Sequence, residues 1–164
     1  MKGSIICGID DSLSAREAAR VARALGSRLG RGLIFVRVVE SDAPDDEVSA
    51  IAERLEVLSA EATEVDCGAA WLVDEGDPAN RLVAAAREAE ASLIVVGSTG
   101  HRSPLQGSVS AEVSRRALCP VVVVPPGAEA HFNGYDDGER APQVEDGHSA
   151  GGIVRFGLGS RGAD

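Results

Sequence analysis

The sequence is poor in aromatics, in lysine and in cysteine, and each shortage narrows what the chain can do. Aromatics are 3% of 164 residues, so a core must be built from Val, Ile, Leu and Ala; hydrophobic residues still reach 44%, enough for one globular domain. The single lysine is Lys2, and 16 basic residues face 26 acidic ones, giving a net charge of −10. Phosphate backbones and anionic bilayers both recruit clustered positive charge, so neither nucleic acid nor membrane is an expected partner. Cys7, Cys67 and Cys119 are odd in number, far apart and free of any CxxC spacing. They read as reduced, mostly buried thiols of a cytoplasmic protein, not as a disulfide framework or a metal site. No apolar run approaches the roughly 18 residues of a membrane span, and Ile5 to Ile9 is too short for a signal sequence. There is no G-x-x-x-x-G-K-[ST] phosphate loop, no G-x-S-x-G elbow, and no pair of histidines spaced for a metal.

What is present is a regular alternation. Ser4-Ile-Ile-Cys-Gly-Ile9 is a continuous apolar run, as expected of a strand buried on both faces. Ser14 stands three residues before Glu17, the capping-box spacing, while Ser12 competes with it for the cap. Ala18, Val21, Ala22, Leu25 and Leu29 then recur at helical spacing until Gly30 and Gly32. Leu33–Val39 reads as a second strand, and Pro44 with Asp45, Asp46 and Glu47 opens a second helix. Ala69–Val73 is a third strand, and Asp77-Pro78 pairs an N-cap with proline at the first helical position. Leu93–Val96, a helix over Ser108–Leu118 and a final strand, Val121–Val124, complete the series. Strands separated by helices and lacking hairpin signals are parallel and joined by right-handed crossovers. The expectation is a doubly wound α/β domain over residues 1–126: a five-stranded parallel sheet with helices on both faces. Residues 127–164 are rich in Gly and acids, an expected disordered tail in which only Ile153-Val-Arg-Phe156 suits a short strand or docking on the core.

Open sheets of this kind bind ligands beyond the carboxyl ends of the strands, where strand order reverses. Two segments should meet there. Gly8-Ile9-Asp10-Asp11-Ser12 leaves the first strand, with Asp10 placed to accept hydrogen bonds from ribose or an adenine amino group and Asp11 reading as a turn or cap residue. Gly97-Ser98-Thr99-Gly100 leaves the fourth and runs through His101 and Arg102 to Gly107-Ser108, an anion cradle of glycine backbone, hydroxyls, one guanidinium and a helix N-terminus. An ordinary tight connection remains the competing reading of that loop. For His101, general acid–base work on a phosphate and a plain exposed loop position are both open.

Together these residues resemble the universal stress protein family over roughly residues 2–125. The resemblance rests on Asp10-Asp11-Ser12, on Leu33–Glu40, on Val95-Val-Gly-Ser-Thr-Gly-His101 with Gly107-Ser-Val109, and on Cys119-Pro-Val-Val-Val-Val-Pro125. It implies an adenine nucleotide α-hydrolase-like sheet, a stress-response role, homodimers built through the Val121–Val124 strand, and ATP or another adenine nucleotide (ADP or AMP), with Mg. Catalysis beyond slow nucleotide hydrolysis is not implied. Carried over by position, Asp10 holds ribose or base, Val38 lines the adenine, and Gly97, Gly100, Gly107, Ser108 and Val109 surround the phosphates and ribose; Ile9 and Ser12 join the candidate site from their place beside Asp10, and Ser98 and Arg102 from the chemistry of the loop. The stretch His101–Gln106 is shorter than is usual in ATP-binding members. That favours AMP or ADP over ATP, or a nucleotide-free regulatory or scaffolding dimer.

Overall fold

The computed structural model describes residues 3–63, 68–98 and 108–128. Cys67, the loop residues Thr99–Gly107 (with Gly100, His101, Arg102 and Gly107) and the tail from residue 129 on lie outside them. Nine elements alternate in order: β1 (Ile5–Gly8), α1 (Leu13–Leu29), β2 (Leu33–Val39), α2 (Asp45–Thr63), β3 (Ala69–Glu75), α3 (Pro78–Glu88), β4 (Leu93–Gly97), α4 (Val109–Arg116) and β5 (Val121–Val124). The strands form one five-stranded sheet in the order β3-β2-β1-β4-β5, with every pairing parallel.

Because side chains alternate along a strand, each strand feeds two cores. Ile5, Cys7, Leu33, Phe35 and Val95 face Ala18, Ala22, Ile51 and Leu55 of α1 and α2. Ile6, Val36, Ile94 and Val96 face Ala79, Leu82 and Val83 of α3 and Val113 of α4. The small residues of α1 let that helix lie close over the sheet; Ala18 and Ala22 are fully buried.

The helix ends follow their local chemistry. Asp77 accepts from the Asn80 N–H at 2.8 Å with Pro78 in the first turn, three acids occupy the first turn of α2, and Gly30 closes α1 in the left-handed region at φ 59°. The start of α1 differs from the capping-box expectation. Ser12, not Ser14, is the cap, its hydroxyl accepting from the Ala15 N–H at 3.1 Å. Asp10 accepts from the Ser12 N–H at 2.8 Å, which fixes the turn and starts the helix before Ser14. Ser14 is buried inside the first turn, and Glu17 accepts instead from the distant Gly127 N–H at 2.9 Å. Cys7 lies wholly inside the α1/α2 core, where burial pushes its thiol up to about 12 against the opposing pull of the Arg23 guanidinium.

Candidate functional site

Strand order reverses between β1 and β4. β1 continues to α1 on one face, while β4 leads toward α4 on the other, so the two connections part and leave a crevice at the carboxyl end of the sheet. Gly8, Ile9 and Asp10 form one wall of it, and Val96 and Gly97 another. Val36 and Val38 of β2, Pro78 and Leu82 of α3 and Val109 of α4 make an apolar lining, and Ser12 and Ala15 close the α1 side.

Among the residues singled out from sequence, Ile9, Asp10, Ser12, Val38, Gly97 and Val109 thus come together around one cavity. Their individual tasks are partly different from those expected. Gly97 has no left-handed backbone angle. It is small because α1 passes directly over it: a Cβ there would lie 2.7 Å from the carbonyl carbon and hydroxyl of Ser14 and 2.8 Å from the Ala15 nitrogen. Ser12 spends its hydroxyl on the α1 cap and Ser108 spends its own on the α4 cap, accepting from the Ala111 N–H at 3.2 Å. Ser98 does not line the crevice; its N–H donates to the Val124 carbonyl at 2.7 Å and prolongs the β4–β5 pairing. Gly100, Arg102 and Gly107 belong to the segment outside the described residues.

Asp11 sits in the turn between β1 and α1, as expected, and its side chain adds contacts that the sequence did not announce. Its carboxylate meets Arg37 of β2 at 3.0 Å and Arg54 of α2 at 3.4 Å, tying three elements at the rim. Asp10, exposed beside it, gives one oxygen to the Ser12 N–H and turns toward the crevice mouth. α4 begins at Val109 behind its Ser108 cap, so this end of the crevice carries the positive, N-terminal end of a helix. The arrangement offers an apolar floor, a carboxylate acceptor at one rim and backbone donors at the other. Those are the needs of a flat heteroaromatic ring, a polyhydroxyl sugar and an anion.

Val36, Pro78, Leu82 and Ala15 also line the crevice and were not singled out from sequence. Val36 was within reach of that reading, since it stands two residues before Val38 and so shares its face of β2. Pro78 and Leu82 required knowing which face α3 covers.

The model of the universal stress protein family matches residues 1–125. A universal stress protein of Synechocystis is 31% identical over 133 residues, covering 74% of this chain and 85% of that protein. A solved universal stress protein in complex with cAMP is 28% identical, with a TM-score of 0.63, over 76% of this chain and 98% of that one. A structure of a family protein from Burkholderia pseudomallei is 31% identical, with a TM-score of 0.59, over 75% of this chain and 96% of that one.

Proposed function

The chain belongs to the universal stress protein family, and from that premise we propose that it is a stress-response module holding an adenine nucleotide in the crevice between β1 and β4. The observation that carries this reading is the meeting of Asp10, the apolar floor of Val36, Val38, Leu82 and Val109, and the N-terminus of α4 around one cavity at the reversal of strand order. The base lies against the floor, the second Asp10 oxygen accepts from a ribose hydroxyl or the exocyclic amine, and the α4 N–H groups face phosphate. The cAMP-bound relative supports a compact phosphate, as does the short His101–Gln106 stretch, so AMP, ADP or a cyclic monophosphate is preferred over ATP. Where a polyphosphate binds, Mg accompanies its phosphates.

In this reading the protein works in the cytoplasm as a sensor or regulator, with at most slow hydrolysis of what it holds. It pairs with a second copy along β5, which is an edge strand whose Val123 is 41% exposed. The test begins with the purified, gently desalted protein. Absorbance at 260 nm and mass spectrometry should reveal co-purified adenine nucleotide or, after stripping, uptake of one. A protein that takes up none of AMP, ADP, ATP or cAMP refutes the nucleotide reading and leaves a nucleotide-free regulatory dimer.

A further inference from the structure

A second crevice lies on the opposite face of the sheet, between α1 and α2. Its floor is Ile9, Ala15, Ala19 and Leu58, and three guanidinium side chains, Arg16, Arg20 and Arg23, line it against one carboxylate, Asp10. In a chain of net charge −10, α1 is an exception, with four arginines against one glutamate. Arg16, Arg20 and Arg23 fall on one side of that helix at i, i+4 and i+7. Arg23 meets Glu61 at 3.3 Å, and Arg37 and Arg54 are taken by Asp11. Among the described residues, neither Arg16 nor Arg20 has a carboxylate within ion-pair distance. A greasy floor with two uncommitted guanidinia suits an anion carrying an apolar or aromatic group.

The chain itself contains such a group, and it starts at this face. Gly127 is tied to Glu17 in the first turns of α1, and Ala128 packs on the same core cluster as α1 and α2. From there 36 more residues follow, with seven acidic side chains against three arginines and with three of the chain's five aromatics. Phe132, Tyr135, Asp136, Asp137 and Glu139 fall within eight positions. The eight residues that follow Ala128, as far as Asp136, can extend ~26 Å. The run along α1 from Glu17 to Arg23 is roughly 9 Å.

We propose that the segment Phe132–Glu139 docks in the α1/α2 crevice of its own chain, its aromatic rings on the Leu58 floor and its carboxylates on Arg16 and Arg20. Ile9, Asp10 and Ala15 line both crevices, so the docked segment rests against the back of the nucleotide crevice wall. Tethering makes the contact intramolecular, so a few solvent-exposed ion pairs suffice to populate it.

Amide resonances of the full-length ¹⁵N-labelled chain test this in both directions. In the R16Q/R20Q variant the resonances of residues 132–139 should shift, and in the D136N/D137N/E139Q variant those of Arg16–Arg23 and Leu58 should shift, with unchanged sheet resonances showing an intact fold in each. Both sets of shifts should vanish in 1 M NaCl, where the Debye length falls to about 3 Å. Tail resonances indifferent to R16Q/R20Q overturn the proposal. So does inorganic phosphate moving the crevice resonances while the tail stays put, which would make this a small-anion site.

Discussion

Replacing Gly97 with alanine places a methyl carbon 2.7 Å from the Ser14 carbonyl carbon and 2.8 Å from the Ala15 nitrogen. Non-bonded carbons rest at about 3.5–4.0 Å, so β4 and α1 must separate by roughly 1 Å to accept it. The obstructing atoms are mainly backbone, in a turn whose Ser14 and Ala15 are each 3% exposed and which is pinned by the Ser12 cap. No single rotamer change relieves the clash. Overpacking of this kind costs about 1–3 kcal/mol. With a urea slope near 2 kcal/mol/M, the unfolding midpoint should drop by about 0.5–1.5 M. Gly8→Ala is the control: its new Cβ would meet only side-chain atoms, of Leu82 and Val96, at 3.2–3.3 Å, and those can turn aside. Its midpoint should move by less than about half as much. Both variants are melted in nucleotide-free buffer, so that ligand binding does not mask the difference. Equal midpoints for the two would refute the view that Gly97 is small to admit α1.

Other consequences follow from the same contacts. Ser12→Ala and Asp77→Ala each remove an N-cap acceptor and should each cost about 1 kcal/mol in denaturant melts, while Asp77→Ser should restore most of its loss. Because burial raises the Cys7 thiol from 9.0 to about 12, the unfolded chain gives up this proton first. The stability this group contributes is full below about pH 9 and is lost as pH climbs through 12. Wild type should therefore lose stability more steeply than Cys7→Ala above pH 9, and parallel pH profiles would contradict this assignment. Val123→Lys should weaken self-association in sedimentation velocity, and an unchanged dimer would exclude pairing along β5.

Much of the architecture was legible because it is written in local signals. β2 and β5 coincide with their apolar runs, and Asp77-Pro78 marks the start of α3. The burial of strands on both faces explains why their runs carry no alternation. The start of α1 was misplaced because two serines offered equivalent caps, and the choice was made by Asp10 holding the Ser12 N–H. Asp11 falls in the turn as read, but its ion pairs were not legible: its partners Arg37 and Arg54 lie 26 and 43 residues away, and ion pairs across elements leave no spacing in the sequence. The crevice could be placed from strand order, yet the task of Gly97 could not, since a glycine that admits a helix and one that admits a ligand look alike in a sequence. The arginine rim of α1 went unread, since its meaning depends on α2 supplying Leu58 beside it.

The central claim, an adenine nucleotide held by Asp10, is tested most directly by calorimetric titration of stripped wild-type protein and its Asp10→Asn variant with AMP, ADP and ATP. Asparagine keeps an oxygen to accept the Ser12 N–H and so preserves the start of α1, but it loses the carboxylate's charge and its second acceptor. Saturable binding by wild type, weakened at least tenfold in Asp10→Asn with an unaltered melting temperature of the free protein, is the expected result. Equal affinity in the two proteins would remove Asp10 from the site, and no binding by wild type would contradict the claim itself.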